Sequence, residues 1–252
     1  MSDLHLEVTE TYHFIIPPEA PYLALLGDIG IFRDNHHEKQ YLEFLERQLY
    51  KFKVVFYEDV KRIVNEFKRN MDAKALEEPN AGMGEFVFLD NTRYDFRDEK
   101  LTVLGGTLFN LPRKEVRGCI DDYYRRYIHI NGWGPREHFE AHKATRRWLL
   151  HTSTDVENED PERVVIILTH YSPTRHYASV SVRNPGFLHT TDLKWLNRFM
   201  SRNVRLWAFG STHFNCDFVD WETDRRFYSN QGQLLGECEP FSVEKTIDVP
   251  TT

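Results

Sequence analysis

The stretch "LWAFGSTHFNCDF", Leu206 to Phe218, decides how the chain is read. Its first half is an apolar run of the kind that forms a buried strand, and Gly210 ends it. A small polar turn follows, carrying one histidine, His213. Two other apolar runs finish in the same manner: "YLALLGD" ends on Asp28 and "VVIILTH" on His170. Each has an ordinary explanation alone. A Gly-Asp pair after a strand is commonly a turn, and a histidine closing an apolar run is commonly a hydrogen-bonded core residue. Three together point further, because α/β sheets gather ligands in the crevice at the carboxyl ends of their strands.

Four runs read as buried strands: Tyr22–Leu26, Lys53–Tyr57, Arg163–Leu168 and Val204–Phe209. Glu85–Leu89 with Leu101–Leu104 adds further strands around a turn. Helical stripes occur in "EKQYLEFLERQLY", "EDVKRIVNEFKRNM" and "DLKWLNRFM". In the second, Val60, Ile63, Val64, Phe67 and Met71 share one face. Strands alternating with helices predict an α/β fold containing parallel sheet. "DAKALEEPNAGMGE" (Asp72 to Glu85) and "HTSTDVENEDPER" (His151 to Arg163) read as loops within one domain, residues 1–252.

Composition narrows the function classes. A chain of 252 residues is long enough for a sizeable core. Net charge is −7, with basic residues scattered rather than clustered, which argues against a nucleic-acid groove. "YYRRY" (Tyr123 to Tyr127) reads as packing and solvated surface rather than a single-strand platform. No run approaches the roughly 18 apolar residues of a membrane span. The first residues lack the basic and apolar regions of a leader. Cys119, Cys216 and Cys238 form no CxxC pair, so reduced thiols and a cytoplasmic location are expected. Gly105 and Gly106 are not followed by Gly-Lys-Ser/Thr, so they make no P-loop.

A fourth polar group lies in "SDLHLE", where Asp3 and His5 alternate with Leu4 and Leu6. In an extended segment this spacing points both polar side chains to one face. Carboxylates combined with imidazoles suit Mn, Fe or Zn, whereas Mg prefers oxygen ligands.

"SDLHLE", "LALLGDIG", "VIILTHYSPT" and "FGSTHFNCDF" resemble four of the five signature blocks of the calcineurin-like metallophosphoesterases. "LTVLGGTLF" and "RRFYSNQGQ" extend the resemblance over nearly the whole chain. It implies a four-layer α/β/β/α sandwich of two mixed sheets flanked by helices. It also implies a two-metal centre that hydrolyses phosphomonoesters or phosphodiesters. Carried over by position, Asp3, His5, Asp28 and His213 fall to the first metal. Asp28 bridges to the second, which His170 also binds.

Two of the family's second-metal ligands are absent. Ser211 stands where Gly-His-x-His has its first histidine, and no Gly-Asn-His block occurs. With that block goes the family's proton-donating histidine. The block would fall between "KFKVVFY" and "EDVKRIVNEF", where almost no linker remains against the usual roughly 2–6 residues. A short deletion is the simplest account, unless the strand ends early and lends Phe56 and Tyr57 to the turn. In the family a core strand delivers the Asp-x-His pair. Here only Met1 and Ser2 precede Asp3, so the domain reads as truncated at that strand.

"FRDNHHEK", with Asp34, His36 and His37, reads as the start of a solvated helix rather than a set of replacement ligands. Asn215, Cys216 and Asp217 correspond to a family hairpin that leaves the site. The expectation is an impaired metal-dependent phosphoesterase holding one divalent ion (Mn, Fe or Zn) rather than two. Its substrate would be a small phosphate ester, with no nucleic-acid or membrane partner. The alternative is a non-catalytic binding or scaffold descendant of the same fold.

Overall fold

The computed structural model describes residues 1–8, 12–31, 34–58, 61–110, 133–179, 191, 193, 200–232 and 240–249. The chain begins as a β-α-β-α-β series: β1 (Tyr22–Leu26), α1 (Asn35–Leu49), β2 (Val54–Glu58), α2 (Lys61–Glu77) and β3 (Glu85–Phe88). Helical crossovers return each strand in the same direction, so these three pair in parallel, in the order β1-β2-β3. Among the described residues the strand pairs of this sheet are all parallel.

A second sheet follows from β4 (Thr92–Asp95), β5 (Leu101–Gly106), α3 (Pro135–Glu159), β6 (Val164–Thr169), β7 (Val204–Ala208), β8 (Cys216–Asp220) and β9 (Arg225–Ser229). Its order is β4-β5-β6-β7-β9-β8, and it is mixed. β5, β6, β7 and β9 run parallel, while β4 and β8 close the edges antiparallel.

Strand alternation produces three apolar layers. Along β2, Val55 and Tyr57 face a cluster with Tyr41, Phe44 and Val64 of the helices, while Val54 and Phe56 face the other sheet. Along β6, Val165 and Ile167 join Leu149 and Val156 of α3, while Val164 and Leu168 face the first sheet. Helices, sheet, sheet and helix stack in four layers, an α/β/β/α sandwich. A bulge where β6 pairs with β7 resets the register, so Val204 and Leu206 reach opposite layers despite being two apart. The layer between the sheets holds a cavity of about 410 Å³ beside Met1, lined by Leu26, Phe56, Leu168, Leu206, Tyr228 and Ile247 among others.

Several sequence expectations are corrected. Glu85–Leu89 and Leu101–Leu104 are not strands around one turn. β3 belongs to the first sheet, and after Asn91 (φ 53°) the chain starts β4, the hairpin partner of β5 in the second. His151 to Glu159 is helix, the last third of α3, not loop. Its buried face is only one residue in three or four (Leu149, Ser153, Val156), so solvent-facing polar residues dominate its composition. Asp72 to Glu77 likewise prolongs α2. β2 does not end early: Phe56 and Tyr57 pair with Val87 and Phe88, and the strand continues through Glu58. The helix then starts at Lys61, not Glu58.

The stripe of α2 buries Val64 and Phe67, with Met71 packed against them. Most of the helix expected at 192–200, the Tyr123–Tyr127 segment, Cys119 and Cys238 lie outside the described residues. Cys216 is a buried thiol 3.4 Å from Ser229 Oγ. Among the described residues no helix is long and apolar enough to cross a membrane.

Candidate metal centre

The carboxyl ends of β1, β6 and β7 meet where the two sheets approach each other, and the N-terminal segment threads between them. Leu26 N–H donates to Met1 O at 2.9 Å, Asp3 N–H to Gly27 O at 3.0 Å and His5 N–H to Asp28 O at 3.0 Å. On its other side Ser2 bridges in parallel to Gln231, just beyond β9. Gly210 N–H donates to His170 O at 2.8 Å, which couples the loop after β7 to the end of β6.

Asp3, His5 and His213 each offer a ligand atom within 4.8 Å of the others. Asp3 is fully buried; its Oδ2 accepts Ser211 N–H at 3.0 Å, and its Oδ1 lies 3.4 Å from His213 Nε2. His5 Nδ1 faces Glu7 Oε1 at 3.1 Å, and a carboxylate can only accept, so Nδ1 carries the proton and Nε2 the lone pair. Asp3 Oδ1 and His5 Nε2 are buried with no hydrogen-bond partner. Two orphaned buried acceptors aimed at one point are what a cation-binding site leaves when protein atoms alone are counted. One carboxylate and two imidazoles fit Zn, Fe or Mn, and three protein ligands leave a position open.

Asp28 and His170 form an adjoining pair. Asp28 Oδ2 is 3.7 Å from His170 Nε2, and Asp28 is half-exposed on the open side of the site. His170 Nδ1 donates to Leu26 O at 2.8 Å, which directs Nε2 toward Asp28. Gly27 (φ 82°) permits this approach, since a Cβ there would sit 2.3 Å from His170 Nδ1. All five residues singled out in the sequence therefore converge, as a triad and a neighbouring pair.

The backbone carries the stronger signal. Among the described residues eight non-glycines have positive φ, and five of them are Asp3 (52°), His5 (45°), Asp28 (50°), Ser211 (66°) and His213 (51°). Each such residue costs about 1–3 kcal/mol, so their sum is comparable with the entire net stability of a domain. Strain of that size collects where geometry serves something other than stability. It also corrects the alternation argument for Asp3 and His5. That segment is left-handed at both residues, not extended, and their side chains meet for that reason instead of by strand periodicity.

Charge is balanced inside the site. Burial alone raises the Asp3 carboxyl, but the His213 imidazole beside it and the charge of His170 bring it below its usual range. The Glu7 contact raises His5, against burial. Burial lowers His170, but Asp28, Glu58 and Asp3 outweigh it and push it up to about 9.

Glu58 has no counterpart in the sequence reading. It ends β2, is buried, and accepts a hydrogen bond from Thr107 Oγ1 beyond β5. Burial raises its carboxyl, partly offset by His170 and Thr107. Gln231 is also buried here, bonded to His213 N–H at 2.7 Å.

Other candidates fall outside the centre. Asp34 caps α1, accepting from His36 N–H at 2.9 Å and His37 N–H at 3.0 Å, with His37 Nδ1 at 2.8 Å. Asn215 and Cys216 pack at the β8–β9 hairpin, and Asp217 pairs with Arg226 across it at 2.7 Å. Ser211 is buried, and its N–H serves Asp3.

No protein-family model and no curated protein sequence matches the chain. The crystal structure of the phosphopantetheinyl hydrolase PptH from Mycobacterium tuberculosis is similar to it, with a TM-score of 0.54. The likeness spans 97% of this chain and 89% of that one at 13% identity. At that identity it speaks for a shared α/β sandwich fold.

Proposed function

We propose that this chain is a metal-dependent hydrolase of small phosphomonoesters or phosphodiesters that holds one divalent ion, Mn, Fe or Zn. The observation that carries the reading is the convergence of Asp3, His5 and His213 on left-handed backbone, with Asp3 Oδ1 and His5 Nε2 buried and unbonded. Those three residues would hold the ion, with Asp28 at the open side. When bound, such an ion acts as a Lewis acid on a phosphoryl oxygen and lowers the pKa of water.

The chain's own residues supply the rest. Glu7 fixes the His5 tautomer, and the Ser211 N–H steadies Asp3 in its ionised form. His170 holds its exchangeable proton at Nε2, beside Asp28, and so offers positive charge to an anionic ester. Ser211 in place of a histidine and the missing Gly-Asn-His block, both departures from the family that the sequence resembles, favour one ion over two. The likeness to a phosphopantetheinyl hydrolase carries the fold, and the substrate class stays at phosphate esters.

Hydrolysis of a generic aryl phosphate ester by Mn-, Fe- or Zn-loaded protein tests the reading. Turnover should fall at least about 100-fold in Asp28→Asn and His213→Ala. Equal turnover in both variants would assign the activity to a contaminant. The missing Asn-His pair favours a second reading, a non-catalytic descendant of the fold. Cooperative unfolding with bound metal but no turnover on any ester would select it.

A further inference from the structure

The loop from Phe209 to Asn215 carries His213 between β7 and β8 without regular structure of its own. Gln231, fully buried just past β9, reaches it at three points. Its Oε1 accepts His213 N–H at 2.7 Å, and its Nε2 donates to Thr212 Oγ1 at 2.9 Å and Phe214 O at 3.0 Å. Its backbone is tied to the same loop. Gln231 N–H donates to Asn215 Oδ1 at 2.5 Å, and Asn215 Nδ2 donates to Gln231 O at 3.3 Å.

The opposite side of the same residue meets the N-terminal segment. Gln231 forms the parallel bridge to Ser2, flanked by Ser2 N–H to Asn230 O at 3.2 Å and Gly232 N–H to Ser2 O at 3.0 Å. One residue thus connects the N-terminal segment that presents Asp3 with the loop that presents His213. The two ligand atoms it links lie 3.4 Å apart.

We infer that Gln231 is a positioning residue for metal binding, which holds the His213 imidazole in register with Asp3 and His5. The inference rests on the metal-centre reading above. A histidine at φ 51° keeps that conformation only when its surroundings over-determine it, and the Gln231 carboxamide supplies the bond to its N–H. The role needs an acceptor for His213 N–H at the end of the side chain. A carboxylate keeps the acceptor for His213 N–H but turns a second acceptor toward Phe214 O. An apolar side chain of similar length removes the acceptor that Gln231 gives His213 N–H, while Phe214 O keeps Ser229 Oγ at 2.8 Å and Thr212 Oγ1 keeps Phe214 O at 3.3 Å.

Three variants test it: Gln231→Met, Gln231→Glu and Thr212→Val, the last removing one contact of the amide but none to His213. The readouts are Co(II) titration of the metal-free protein by visible absorption, its melting temperature, and amide hydrogen exchange at His213. Gln231→Met should weaken Co(II) binding roughly 10- to 100-fold, shift the absorption bands and speed His213 exchange. Gln231→Glu should recover His213 protection and most of the affinity. Thr212→Val should lower the melting temperature while Co(II) affinity stays within about twofold.

Wild-type affinity and spectrum in Gln231→Met would overturn the inference and leave the metal centre intact. If Gln231→Met does not fold, Gln231→Glu decides, and binding weaker than in Thr212→Val overturns it. No Co(II) spectrum in the wild type would remove the metal centre and, with it, this role.

Discussion

Asp3, His5, Asp28, Ser211 and His213 place five left-handed non-glycine backbones within one small volume. Glycines at two neighbouring positions make room for the side chains. A Cβ at Gly27 would strike His170 Nδ1 at 2.3 Å, and one at Gly210 would meet Ser2 Oγ at 2.4 Å and Asp3 Oδ2 at 2.8 Å. Gly27→Ala should therefore lose about 2–4 kcal/mol in chemical denaturation, from overpacking added to a left-handed alanine. A loss under about 0.5 kcal/mol would mean that His170 is free to move aside. At this scale Asp28, His170 and His213 are legible in the sequence because each follows an apolar run that ends at a strand terminus. Glu58 and Gln231 are not. Their partners Thr107 and His213 lie 49 and 18 residues away, and nothing local in "YED" or "NQG" announces a buried polar contact.

Among the elements, β1, β2, β6 and β7 are legible to within a residue or two, since continuous apolar runs mark strands buried on both faces. β4 is hidden because it is a short edge strand with the polar sequence "TRYD", and the end of α3 because its buried face is narrow. α3 also carries a buried histidine pair that anchors the loop after β5. His138 Nε2 bonds to Asn110 O at 3.0 Å, and His142 Nδ1 to Phe109 O at 2.5 Å. Burial lowers both, bringing His138 down to about 4, with His142 beside His138 and Arg146 beside His142 adding to the effect. The unfolded chain takes up these protons first. The contribution of His138 to stability is whole above about pH 6.5 and is lost as pH falls through about 4, and His142 acts in the same direction. His138→Gln should flatten the fall in melting temperature between pH 7 and 4 relative to wild type. An equal slope in both proteins would contradict the neutral, buried state of His138.

Across the whole molecule, the two sheets share one inter-sheet core, and each backs onto its own helices. Such shared packing predicts a single cooperative transition. A ligand held by residues from the N-terminal segment and the loop after β7 ties both sheets together. At about 100 times its dissociation constant it adds about 2.7 kcal/mol, or roughly 5–10 °C in melting temperature for a chain of this size. Asp3→Asn should abolish that increment, and a shift of equal size in the variant would place the ion elsewhere. The four layers follow from apolar alternation that the sequence displays openly, whereas the parallel pairing of β1, β2 and β3 follows from crossover topology that it displays only indirectly. The most direct test of the central claim is the metal content per chain, by elemental analysis after loading with Mn or Zn and desalting. The account predicts one tightly held ion, absent in His213→Ala; no retained ion would contradict the centre itself, and two would contradict its single-ion form.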